Sequence, residues 1–92
     1  FAMADLPALG ALKCLNENNI KVPDDVSVMG FSNWSITELS SPALSTVNQP
    51  GVLMGQKAFE LFLDEKAQIK KEQTPEQKIV ELETKLIIRA ST

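Results

Sequence analysis

Apolar and polar positions along this chain repeat with two different periods, and each period points to an element. Phe1-Ala2-Met3-Ala4 is a short apolar run that predicts a buried strand. Leu6, Leu9, Leu12 and Leu15 then recur every three residues among the strong helix formers Ala8 and Ala11, which predicts a helix. Asp5 suits its N-cap, and Pro7 falls in the first turn, where a missing N–H costs nothing. Asn18-Asn19 should end it, because asparagine tolerates left-handed geometry, and Ile20 can fold back on the last turn. Val22-Pro23-Asp24-Asp25 reads as a turn, and Val26 to Phe31 as a second, mostly apolar strand. Strand, helix and strand within about thirty residues make a βαβ unit, with parallel strands and a right-handed crossover. The fold class is α/β.

Beyond this unit the pattern changes. Ser32 to Pro42 is polar and turn-rich, with room for a short helix around residues 35–40, and Leu44 to Asn48 predicts a third short strand. Pro50 opens a long helix over residues 51–70, whose apolar face is Met54, Ala58, Leu61 and Phe62, widened by Phe59 and Gly55. Lys70 to Lys78 is a charged, solvated loop containing Pro75. Lys78 to Ala90 is strand-like, with a bend near Glu83-Thr84.

Composition removes whole classes of function. A chain of 92 residues buries roughly 60–65% of its unfolded surface, enough for one modest core. Hydrophobic residues at 43% and charged residues at 23% are ordinary for a globular domain. A net charge of −3 argues against nucleic-acid binding by this stretch. Without histidine there is no Ser–His–Asp or Cys–His centre and no His-ligated metal site. Cys14, the one cysteine, has no internal disulfide partner and is expected as a buried small hydrophobe. The four glycines are scattered, so no phosphate-cradling loop exists, and Asp24-Asp25 is a polar turn rather than an acid/base pair. The longest apolar runs, such as Leu86-Ile87-Ile88, fall far short of a membrane span. No catalytic residue, metal or cofactor is indicated, and the chain reads as a non-enzyme. Its apolar opening, without an initiator methionine or a signal-peptide profile, reads as entry partway through a strand, hence as part of a longer protein.

A binding site has a predictable place. In open α/β sheets ligands bind outside the carboxyl ends of the strands. Those ends are Ala4-Asp5 and Phe31-Ser32-Asn33-Trp34, side by side if the two strands are neighbours. A hydroxyl, an amide, a carboxylate and the chain's only tryptophan would meet there, a set that suits a neutral polyhydroxyl ligand such as a sugar. Taken singly, each residue has a plainer role: Asp5 as a cap, Ser32 and Asn33 as turn residues, Trp34 as a plug for the core or an interface.

At these same residues the chain resembles the LacI/GalR family of bacterial transcriptional regulators. Residues 5–12, DLPALGAL, resemble the family's "ND-x-x-A-x-G-A" segment, and residues 22–31, VPDDVSVMGF, its "VPxDxSvvGfDd" segment. Residues 44–50, LSTVNQP, are similar to "LTTVxQP", followed by Gly55 and Ala58 at the family's spacing, and residues 86–92, LIIRAST, to the terminal "LivReST". Four ordered motifs cover nearly the whole chain.

The resemblance implies a parallel-sheet lobe of a periplasmic-binding-protein-like fold. Residues 1–50 would belong to the C-terminal lobe of an effector-binding domain, with 45–50 as a hinge crossing. Residues 51–70 would be a helix packing on an N-terminal lobe, and 71–92 a loop and a final strand returning to the C-terminal lobe. It implies a small-molecule effector, expected to be a sugar, a homodimer, a cytoplasmic location, and operator DNA read only by a helix-turn-helix outside this chain. The expected ligand contacts are Ser32 and Gln49, with Asn33, Trp34 and Ala4 lining the cleft and Asp5 capping the helix at its rim. Two positions depart from the family pattern: Ala4 stands where many members have asparagine, and Ser32 where an aspartate is common. Leu6, Leu9 and Leu12, with Ile36 and Leu39, are the expected two-fold surface, although Leu9 and Leu12 could instead face the sheet. A periplasmic solute-binding protein of a sugar transporter is the alternative, and the motifs at residues 22–31 and 86–92 fit the regulator branch better.

Overall fold

In the computed structural model, which describes residues 1–92, the first helix, α1 (Asp5–Glu17), is set by a stripe of Ala8, Leu12 and Leu15. That is the i, i+4, i+7 spacing of a single helical face. The three-residue leucine spacing is a different line, because each step falls about 60° short of a full turn. Leu6 is therefore exposed, Leu9 half-buried and Leu12 in the core at 3% exposure. Leu12 belongs to the core, which corrects its expected place on a two-fold surface. Cys14 lies off the stripe and is exposed, a second correction. The helix ends as its asparagines predict. Asn19 takes φ 56°, the Ile20 N–H donates to the Leu15 carbonyl and the Asn19 N–H to that of Asn16, closing a Schellman motif.

The chain divides into two units, Phe1–Gln49 with Thr84–Thr92, and Pro50–Glu83. In the first, an extended segment over residues 28–32 is the organising element. Its N–H groups at Val28, Gly30 and Ser32 donate to the carbonyls of Ser91, Ser45 and Val47. Its carbonyls at Met29 and Phe31 accept from Ala2 and Asp5. Ala8, Leu12, Val28 and Leu44 form the core against it, with Ala2, Leu9, Leu15 and Val22 at the margin.

Regular sheet is scarcer than the sequence predicts. Strands β1 (Thr46–Asn48) and β2 (Lys85–Ile87) pair antiparallel, Val47 opposite Leu86. Parallel pairing of residues 28–32 with β1 and its approach is confined to two bridges, Met29 with Ser45 and Ser32 with Asn48. One cause is a side chain inserted in the ladder. The buried Ser91 hydroxyl donates to the Val28 carbonyl and accepts from the Ser45 N–H, occupying two groups a continuous ladder would use. Residues 1–4 are extended but form no strand, and Phe1 is exposed, its ring edge-on to Phe31 at 6.4 Å. The strand expected over 78–90 narrows to β2, since its partner β1 is only three residues long and a proline at residue 50 can supply no further ladder donor. The short helix after residue 34 is a 3₁₀ turn over Ser35–Glu38.

In the second unit, helix α2 spans Gly51–Lys70, as the pattern predicts, and none of its residues is buried. Gln68 holds the following loop by accepting the Glu76 N–H at 3.1 Å. No helix is long and apolar enough to cross a membrane.

Candidate functional site

The segment leaving Phe31 turns through two consecutive left-handed residues, Ser32 at φ 111° and Asn33 at φ 59°. Three successive N–H groups hold this turn. Ser32 donates to the Val47 carbonyl at 2.9 Å, Asn33 to Thr46 Oγ1 at 3.2 Å, and Trp34 to Asp5 Oδ2 at 2.7 Å. The Thr46 hydroxyl in turn donates to Asp5 Oδ1 at 2.6 Å. Asp5 is 2% exposed, and both its oxygens accept. Its predicted role as helix cap is thus corrected: α1 has no side-chain cap bond, and Ala4, in extended backbone, holds the N-cap place. A carboxylate that finds N–H and O–H donors across the molecule satisfies its charge better than by capping. Gly30 makes room for it, since a Cβ there would overlap the Asp5 carboxylate and come within 3.1 Å of Leu44 Cδ2.

A second charge is built into the same rim. Arg89 is the lone cation of an apolar stretch, its side chain 15% exposed. It donates to Thr37 Oγ1 and to the Leu44 carbonyl, both at 2.8 Å, and to Asn33 Oδ1 at 2.9 Å. Its contact with the exposed Glu38 carboxylate is longer, 3.5 Å. Asn33 passes the connection on, its Nδ2 donating to Asn48 Oδ1 at 3.0 Å. No buried polar side-chain atom is left without a partner.

These bonds bring the expected contacts to one edge. The Asp5 N–H to Phe31 carbonyl bond sets Ala4 beside the Ser32 turn, and the Ser32 hydroxyl donates to Gln49 Oε1 at 3.3 Å. Ser32, Asn33 and Gln49 are half-buried, whereas Trp34 is 61% exposed, anchored by its backbone and not plugged into the core. Leu6, Ile36 and Leu39 are exposed, and only Leu9 and Leu12 turn inward. Sequence reasoning missed Thr46, Asn48, Thr37 and Arg89. A signal for Arg89 was present, because a cation between Ile88 and Ala90 in a strand-like run needs buried acceptors.

Comparison with known proteins gives a consistent result. A family model described as a periplasmic binding protein-like domain matches residues 1–92. The HTH-type transcriptional repressor PurR of Vibrio parahaemolyticus is 39% identical over 89 residues, 97% of this chain and 25% of that protein. Among solved structures, the transcriptional regulator CelR in complex with cellobiose superposes with a TM-score of 0.83 at 36% identity, over 99% of this chain and 28% of that one. The lac repressor dimer bound to operator and the anti-inducer ONPF gives 0.80 at 28% identity, over 99% and 31%. The chain thus spans about a quarter of the length of the curated relatives it matches.

Proposed function

This chain belongs to the periplasmic binding protein-like effector domains of LacI-family regulators, and from that premise we propose that it supplies one wall of the pocket for a small neutral effector, a sugar. The observation that carries this reading is where the charges go. Asp5 and Arg89, the acidic and basic side chains built into the rim, are both spent on internal partners, and the exposed Glu38 carboxylate lies 3.5 Å from Arg89. What remains for a ligand is the Ser32 hydroxyl, the amides of Asn48 and Gln49, and the exposed face of Trp34. Neutral hydrogen-bonding groups beside a flat aromatic hold polyhydroxyl ligands and gain nothing from a charged one. The cellobiose bound to CelR supports the same reading.

In the whole regulator the effector favours one arrangement of the domain, and operator DNA, read elsewhere in the protein, another. Binding at one then shifts affinity at the other by a coupling energy of about 1–3 kcal/mol. Leu6, Ile36 and Leu39 form an exposed apolar set suited to a two-fold contact, in line with the dimer of the lac repressor structure. The same-direction runs around residues 28–32 would continue as a larger parallel sheet, and such a regulator acts in the cytoplasm. The test is calorimetric titration of the intact protein with cellobiose, lactose and the corresponding aldonic acids. A neutral disaccharide should bind, and Ser32→Ala should weaken it about three- to tenfold. Binding of the acids alone, or undiminished affinity in Ser32→Ala, would contradict the proposal.

A further inference from the structure

We infer that Arg89 fixes the hydrogen-bonding polarity of the rim: acting through Asn33, it holds Asn48 with its amide nitrogen outward, so that this position takes an acceptor-only oxygen of the ligand. The inference rests on reading the rim as the effector site, and its chemistry follows from which groups can donate. A guanidinium has no acceptor. The Asn33 atom 2.9 Å from Arg89 Nη2 is therefore the side-chain oxygen. Asn33 Nδ2 then faces the other way, 3.0 Å from Asn48, and the Asn48 atom it meets must be the oxygen. Asn48 Nδ2 is left with no partner in the chain.

Arg89 cannot turn away from this task. The Thr37 hydroxyl gives its proton to the Trp34 carbonyl at 2.6 Å, so toward Arg89 it can only accept, and the Leu44 carbonyl takes a second Arg89 proton. Gln49 Oε1 accepts from the Ser32 hydroxyl at 3.3 Å, but a hydroxyl both donates and accepts, so the chain fixes the outward donor at Asn48 alone. A ligand hydroxyl could be served by either polarity, because it both donates and accepts. A network that fixes a donor outward discriminates only for an oxygen that accepts without donating, such as the ring or glycosidic oxygen of a sugar. Arg89 is a positioning residue in this scheme, and Asn48 is the contact.

Two nearly isosteric variants of the intact protein test it. Asn48→Asp keeps the acceptor for Asn33 but replaces the outward donor by a carboxylate oxygen. Asn33→Asp keeps the acceptor for Arg89 but has no proton to give, so Asn48 turns round and presents its oxygen. Each variant is expected to hold its thermal midpoint within about 3 °C. In calorimetric titration with cellobiose and lactose, each should bind whichever sugar the wild type binds at least about tenfold more weakly. Undiminished affinity in either folded variant overturns the inference. If the wild type binds neither disaccharide, the sugar reading fails, and side-chain amide exchange in nitrogen–proton NMR spectra of the wild type decides the polarity on its own. The Asn33 amide protons should be protected and the Asn48 pair should exchange freely, with Arg89→Lys releasing the protection at Asn33. An Asn48 pair better protected than that of Asn33 overturns it.

Discussion

Ser32, the proposed effector contact, also carries backbone strain. Its φ of 111° lies where L side chains are rarely found, a cost on the order of 1–3 kcal/mol that only surrounding bonds can sustain. Those bonds are present on both sides, from its own N–H to Val47 and from Asn33 to Thr46. Ser32→Gly separates the contact from the strain. Glycine relieves the strain and gives back roughly 0.5–1 kcal/mol in unfolded-chain entropy. Thermal or denaturant unfolding should therefore show the variant more stable than wild type by about 0.5–2 kcal/mol. The hydroxyl that faces Gln49 is lost with it, so effector affinity should fall. A variant that loses both stability and affinity would mean the turn is not strained at this residue.

At the scale of elements, the sheet is held by side chains as much as by ladders, and Ser91 is the clearest case. Its hydroxyl joins the Ser45 N–H to the Val28 carbonyl at 2.8 and 2.6 Å inside the core. Ser91→Ala leaves one buried donor and one buried acceptor unpaired, each costing about 1–3 kcal/mol. Chemical denaturation should accordingly show a loss of roughly 2–4 kcal/mol with an unchanged denaturant slope, and a loss below about 1 kcal/mol would mean that neighbouring groups or water take over both partners. The same contrast explains what could be read from the residue order. Helices α1 and α2 were legible because a helix is a local object: Pro50 starts one, Asn19 stops the other, and apolar spacing fills in between. The strand-end rule names Ser32, Asn33 and Trp34 and the family resemblance adds Gln49, and hydrogen bonds link Ser32 to Gln49 and Asn33 to Asn48 beside it. The short strands and the role of Asp5 were not legible. Ser91 reaches Ser45 across 46 residues, and Asp5 finds its donors 29 and 41 residues away. Capping was the nearest local use for that carboxylate, and the fold supplied better distant ones.

For the molecule as a whole, the decisive feature is a 20-residue helix with no buried residue. Helices in water are marginal unless an apolar face is covered, since propensity alone barely offsets nucleation. In the unit Pro50–Glu83 the local fastenings are few: Lys57 with Glu60 at 3.2 Å, Lys78 with Asp64 at 3.7 Å, and the Gln68 bond to Glu76. These are exposed polar contacts, worth about 0–1 kcal/mol each. Meanwhile Leu53, Met54, Phe59 and Phe62 remain in water, the two phenyl rings stacked at 6.3 Å. Exposed apolar side chains in this number drive association. If the whole protein has the length of its curated relatives, of which this chain spans about a quarter, the remaining chain is the proposed cover for α2. Produced alone, the 92-residue chain should cover α2 with a second copy. Sedimentation or light scattering should then show a mass that rises with concentration, and Phe59→Glu combined with Phe62→Glu should return it to a monomer. A wild-type chain that stays monomeric at every accessible concentration, with α2 intact by circular dichroism, would show that the helix holds itself and needs no covering surface.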